Sequence, residues 1–165
     1  MITMGIDQSL TSTGYTILGY DRELLTFGCI GSQKDHHVFD RALSIALQLN
    51  SLCVKYKVQY VAMEGLPFNA MSNVTRDLAG LMFTVGTHLV DYTPNESLFV
   101  YPPTKIKKWA TESGKATKDM MVEALPEDVR TQFKFNHTKS KGLYDLADAY
   151  FINTLLRSEV GTAWD

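Results

Sequence analysis

Ile2-Thr3-Met4-Gly5-Ile6-Asp7, Gly14-Tyr15-Thr16-Ile17-Leu18 and Leu24-Leu25-Thr26-Phe27-Gly28-Cys29-Ile30 are three short runs parted by Ser, Thr and Gly residues and by Asp21-Arg22. In the first, Ile2, Met4 and Ile6 share one face at the period of two that marks a strand. Connections this short join antiparallel neighbours, so the runs predict a three-stranded meander. From Val38 to Tyr56 the period changes, and Phe39, Ala42, Leu43, Ala46, Leu49, Cys53 and Tyr56 recur at helical spacing. Tyr60-Val61-Ala62-Met63-Glu64 then reads as a buried strand ended by Gly65 and Pro67. A second helix is predicted from Val74 to Val90, with Leu78, Leu81, Met82, Val85 and Leu89 as core and dimer-face residues. Leu98-Phe99-Val100-Tyr101 is a strand stopped by Pro102-Pro103.

Further helical pieces are expected at about residues 104–111, 117–125 and 143–157, broken by Gly114, Pro126 and Gly142. The order β-β-β-α-β-α-β followed by helices predicts an α/β fold built on one mixed sheet. Its first three strands are antiparallel, and two right-handed crossovers then add parallel strands.

A chain of 165 residues makes a single domain, 1–165, the expectation, and it leaves no room for the second lobe of most two-lobed kinases and ATPases. With 45% hydrophobic and 21% charged residues the chain can bury a core, and disorder is excluded. No stretch approaches 18 uncharged apolar residues, and Met1-Ile2-Thr3-Met4-Gly5 lacks a basic leader segment. Neither membrane span nor signal peptide is expected, which places the protein in the cytoplasm. Cys29 and Cys53 show no C-x-x-C spacing and read as free thiols.

The net charge of −2 conceals a polarity. Residues 101–141 hold nine bases and five acids, a local +4 against −6 elsewhere. On charge alone that is a solvated face more often than a polyanion site.

The acids are more telling. Asp7 ends the first strand and Glu64 the fourth. If those strands are parallel neighbours their carboxylates stand roughly 5 Å apart, at the strand ends where open α/β sheets place ligands. Asp145 and Asp148, nearly one helical turn apart, point the same way among Leu146, Ala147, Tyr150 and Phe151, which pack that helix on the sheet. Two such carboxylates at an effective dielectric near 20 repel by roughly 3 kcal/mol, so four together require shared protons or divalent cations. Oxygen ligands without Cys or His suit Mg²⁺, with Mn²⁺ as a substitute. Any one of these acids alone fits a solvated strand or helix end better.

At these residues the sequence resembles the RuvC-type Holliday-junction resolvases of the ribonuclease-H-like nuclease superfamily. The resemblance is carried by Gly5-Ile6-Asp7 with Thr13-Gly14-Tyr15, by Gly28-Cys29-Ile30, by Ala62-Met63-Glu64 with Phe68 after it, by Gly114-Lys115-Ala116-Thr117-Lys118 and by Asp145-Leu146-Ala147-Asp148-Ala149. It implies a ribonuclease-H-like sheet and two Mg²⁺ ions held by Asp7, Glu64, Asp145 and Asp148. It also implies a homodimer that nicks two opposed strands of a four-way junction. Lys118 and Lys115 are then expected near the scissile phosphate. Lys105, Lys107 and Lys108, just before Trp109, are secondary candidates for tracking phosphates along the DNA path, with Phe68, beside Asn69, stacking on an unpaired base. Three departures stand out: Asp7-Gln8-Ser9 replaces the usual Asp-Pro-Gly, Lys118-Asp119-Met120-Met121 replaces Lys-x-Gln-Val, and one extra residue separates Glu64 from Phe68. A virus-encoded relative acting on a broader set of branched DNA would look like this.

Other readings weigh less. Ile106 and Trp109 make a packing face as readily as a DNA track, and His36, His37, His88 and His137 lack metal-ligand spacing. A catalytically idle branched-DNA-binding module would not need all four acids. A sugar-kinase-like ATP site would need a second lobe and a Gly-Gly loop, so no nucleotide cofactor is expected.

Overall fold

The computed structural model describes residues 1–66, 73–90 and 97–161. Strands β1 (Thr3–Asp7), β2 (Thr13–Leu18) and β3 (Leu24–Ile30) form the antiparallel meander. Helix α1 (Val38–Tyr56) leads to β4 (Tyr60–Glu64), and α2 (Asn73–Val90) precedes β5 (Leu98–Tyr101). The sheet order is β3-β2-β1-β4-β5, with β4 parallel to both β1 and β5. This is the mixed α/β sheet that the strand and helix periods predict. Four helices complete the described chain: α3 (Pro103–Thr111), α4 (Lys118–Glu123), α5 (Glu127–Asn136) and α6 (Leu143–Gly161). None is long and apolar enough to cross a membrane. Both cysteines are free thiols.

Strand parity decides what faces what. Met4 and Ile6 of β1 and Val61 and Met63 of β4 point into one core, beneath α1 and α2. The alternate positions face α6: Ala62 joins the second core with Leu146, Ala147 and Ile152, and Thr3 bonds Asn153 of α6. Asp7 and Glu64 continue that second parity, so both carboxylates belong to the α6 side of the sheet.

Helix α6 lies unusually close to the sheet because two strand positions carry no side chain there. A Cβ on Gly5 would stand 2.2 Å from the Ala149 carbonyl oxygen, and one on Gly14 would stand 2.4 Å from that of Asp145. Buried polar groups then fix the helix in rotation. Asn153 donates to the carbonyls of Thr3 (3.1 Å) and Thr16 (2.9 Å) and accepts from Thr3 Oγ1 (2.6 Å), while Thr16 Oγ1 donates to Ala149 O. Leaving such groups unpaired in a core costs about 1–3 kcal/mol each, so the register is strongly specified.

Two expectations need correction. Helix α5 occupies a stretch where no helix is predicted, because only Val129 and Phe133 of its ten residues are buried and Pro126 reads as a stop. Pro126 instead immediately precedes the first turn, where a missing N–H costs nothing. In α1, Phe39 and Leu43 lie outside the buried stripe (76% and 42% exposed), which runs through Ala42, Ile45, Ala46, Leu49 and Cys53. Apolar residues on more than one face of α1 make its inward direction ambiguous from sequence.

Candidate active site

The strand register carries Asp7 and Glu64 to the same end of the sheet, at the carboxyl ends of neighbouring strands. Ile6 pairs with Met63, and each acid is the next residue on its parallel strand. Over them lies the first part of α6, with Asp145 in its opening turn and Asp148 three residues on. Their mutual influence shows in their acidities. Asp7 is raised well above the usual carboxylate range by burial first, then by the charges of Asp148, Glu64 and Asp145, with Lys118 opposing. Burial, reinforced by Asp148, lifts Glu64 to about 7 against the pull of Lys107 and Lys118. Asp148 rises to about 6, again by burial; Lys118 works against this and Asp145 with it. Asp145 accepts a hydrogen bond from Ser12 Oγ at 2.5 Å, which ties it to the β1–β2 loop.

These acids therefore form one electrostatic unit with too little positive charge to neutralise it. Among the described residues no three Asp, Glu, His or Cys side chains are drawn tightly enough together to grip an ion as they stand. Repulsion between like charges acts in that sense, and cations would relieve it. The donor set fits a hard divalent cation because it is carboxylate oxygen throughout. Cys29, which feels the charges of Asp145 and Asp7, adds no soft ligand. Burial pushes its thiol to about 11, and Sγ donates to Gly142 O at 3.6 Å.

The lysines sort themselves by position. Thr117 caps α4 by accepting the Met120 N–H, which sets Lys118 at the first position of the helix, facing the acids. Lys107 on α3 bears on Glu64 and Asp148 as well, so it stands closer to the chemistry than its reading as a phosphate-tracking residue implied. Three neighbouring lysines cannot be ranked from sequence unless the helix rotation is known; here Ile106, fully buried, supplies it. Lys105 turns the other way, paired with Glu159 and 4.7 Å above the Tyr101 ring. Lys108 and Lys115 are exposed on the same segment. Trp109 is 46% exposed, its indole N–H donating to Thr154 Oγ1 at 3.0 Å. Phe68 and Asn69 lie outside the described residues. His88 and His137 each set Nδ1 against a carbonyl of their own helix, of Thr84 and Phe133.

Two features carried little sequence signal. Ser12 is one of several loop hydroxyls. Asp119, which reads as an unwelcome acid in a DNA path, is neutralised: Lys139 Nζ lies 2.6 Å from its Oδ1, and Tyr144 OH donates to the same oxygen at 2.7 Å. The Tyr144 ring in turn lies 5.5 Å below Lys118 Nζ.

Known proteins resemble this chain in sequence and in fold. The family model described as crossover junction endodeoxyribonuclease RuvC matches residues 3–150, a span that includes all four acids. The crossover junction endodeoxyribonuclease RuvC of Alkaliphilus oremlandii is 31% identical over 153 residues, covering 90% of this chain and 88% of its own. That of Finegoldia magna is 29% identical over 152 residues, with the same coverage. Among solved structures, Thermus thermophilus RuvC in complex with Holliday junction substrate superposes with a TM-score of 0.75 at 19% identity, over 98% of this chain and 97% of that one. That likeness shows the fold, and with the match over nine-tenths of its length the chain belongs to the RuvC family of crossover junction endodeoxyribonucleases.

Proposed function

We propose that this chain, as one domain over residues 1–165, is a structure-selective endonuclease that resolves four-way DNA junctions by paired nicks. The observation that carries the reading is the single unit of acids at the carboxyl ends of β1 and β4, three of them with pKa values raised above the ordinary carboxylate range, with Lys107 and Lys118 facing it. Asp7, Glu64, Asp145 and Asp148 would hold two Mg²⁺ ions, or Mn²⁺ in their place. The chemistry supplied by bound cations is Lewis-acid polarisation of the phosphodiester and acidification of the attacking water.

The chain's own groups position the rest. β1 and β4 fix Asp7 and Glu64 through the sheet, and Ser12 orients Asp145. Lys107 and Lys118 hold the scissile phosphate and offset the charge that builds on its oxygens. Lys108 and Lys115 extend that track along the backbone. The nick carries a 5′ phosphate and a 3′ hydroxyl.

Two related nicks need two sites, and a two-fold dimer supplies them. Phe83 and Val90 are exposed on the outer side of α2, close to the exposed Val100 of β5, and they offer an apolar face to a second copy.

The reading is tested by titrating a labelled four-way junction and a linear duplex of equal length with the protein in EDTA, alongside sedimentation. The junction should bind about tenfold or more tightly than the duplex, as specific recognition requires, with two chains per junction. Equal affinity for both DNAs, or a monomer on and off the junction, would count against it. Tight junction binding with no cutting in Mg²⁺ would mark a catalytically idle module.

A further inference from the structure

The end of α5 and the turn into α6 carry a basic and aromatic surface that the acid cluster does not account for. Residues 129–144 contain no Asp or Glu and four bases, Arg130, Lys134, Lys139 and Lys141. Arg130 is bonded to Glu123 at 2.7 Å and Lys139 to Asp119. Lys134 and Lys141 are exposed and make no ion pair among the described residues. Between them in sequence lies Phe135, 86% exposed. Two residues back on the same helix, Phe133 is fully buried, its ring 4.7 Å from that of Phe27. A two-residue step turns a helix by about 200°, so seating Phe133 in the core necessarily presents Phe135 to the outside.

This surface is fastened to the catalytic elements. Lys141 N–H and Leu143 N–H both donate to Thr138 O, closing the turn, and Leu146 N–H donates to Gly142 O as α6 begins. Gly142 packs against Cys29, beside Asp145. Across the turn, the contact of Lys139 and Tyr144 with Asp119 ties it to the start of α4, next to Lys118. A rim held this firmly at both ends loses little freedom when a ligand binds, which favours recognition.

We propose that this rim is a second DNA-contacting surface: Lys134 and Lys141 hold backbone phosphates of a strand running from the acid cluster, and Phe135 stacks on an unpaired or terminal base. The inference rests on the junction-nuclease reading. Charge complementarity selects a nucleic acid strand over a protein partner, since the rim offers the cations Lys134 and Lys141 and a ring face, and the acids beside it, Glu123 and Asp119, are already paired with Arg130 and Lys139.

The test is junction binding by the full chain in EDTA between 50 and 200 mM KCl. A Lys134→Ala, Lys141→Ala double variant should bind about tenfold more weakly, with the salt slope reduced by about two. Phe135→Ala should lose about fivefold or more with its slope unchanged. An iodouracil-bearing junction should photo-cross-link to a peptide containing Phe135. All three residues are exposed, so unchanged melting temperatures check that the variants fold. Wild-type affinity and slope in both variants would overturn the rim while leaving the nuclease reading intact, and a lost self-association without a DNA effect would assign the rim to a protein contact instead. Absence of junction binding by the unaltered chain would defeat both.

Discussion

Replacing Asp7 with Asn is expected to abolish strand cutting while leaving junction affinity within a fewfold. Asp7 feels the charges of all three other acids, so on the proposed reading its loss removes the ligand most central to cation binding. Lewis-acid stabilisation is worth several kcal/mol in the transition state, so single-turnover cleavage should fall by roughly 10³-fold or more. Asn is close in shape to the protonated acid that burial favours at this position, so the fold should tolerate it. Lys107→Ala and Lys118→Ala should behave differently. Each removes a cation that faces the acids and, on the proposed reading, the DNA, so binding should weaken modestly and cleavage more. Anisotropy titrations beside single-turnover rates separate the two patterns. Substantial cutting by Asp7→Asn would remove the acid cluster from the chemistry.

Stability without metal should fall as pH rises from about 4 to 7. Glu64 and Asp148 ionise near 7 and 6 in the folded chain, against 4.5 and 3.8 for ordinary Glu and Asp, and Asp7 is displaced in the same direction. Across that window the folded state keeps protons that the unfolded chain has released. The slope of unfolding free energy with pH is therefore negative there, and the cluster's cost grows until the raised groups are ionised. On the proposed reading the ionised folded site takes up Mg²⁺, so millimolar Mg²⁺ should raise the melting temperature most at pH 7–8 and little near pH 4–5. Asp148→Asn should raise the metal-free melting temperature at neutral pH while destroying activity, a trade-off between stability and function located in the site. Thermal melts in EDTA and in Mg²⁺ across pH 4–8 measure all of this. A flat metal-free profile with no response to Mg²⁺ would mean the acids are solvated or otherwise compensated.

Much of this architecture is written in local patterns. A period of two marks β1 and β4, and Asp7 and Glu64 end them, so parity alone puts both acids on one side of the sheet. The i, i+3 spacing of Asp145 and Asp148 within an apolar helix brings the remaining two. What stays hidden depends on long-range polar contacts. Asn153 and Arg157 look like ordinary polar positions on a helix, yet Asn153 is wholly buried against Thr3 and Thr16, and Arg157 donates to Gly19 O and Tyr20 O. Lys107 is indistinguishable from Lys105 and Lys108 until the burial of Ile106 fixes the rotation of α3. Helix α5 escapes because two buried residues, Val129 and Phe133, are too few to set a period. The Asp119 contacts escape because their partners, Lys139 and Tyr144, lie 20 and 25 residues away in sequence.

The central claim, that one carboxylate cluster per chain drives paired incision of branched DNA, is tested most directly by following both strands of a labelled four-way junction through a single binding event. In Mg²⁺ the two nicks should fall at symmetry-related positions within the lifetime of one complex, and DNA ligase should reseal the products; EDTA should prevent any cut. Cutting that persists in EDTA, or nicks placed independently on junction and linear duplex alike, would contradict it.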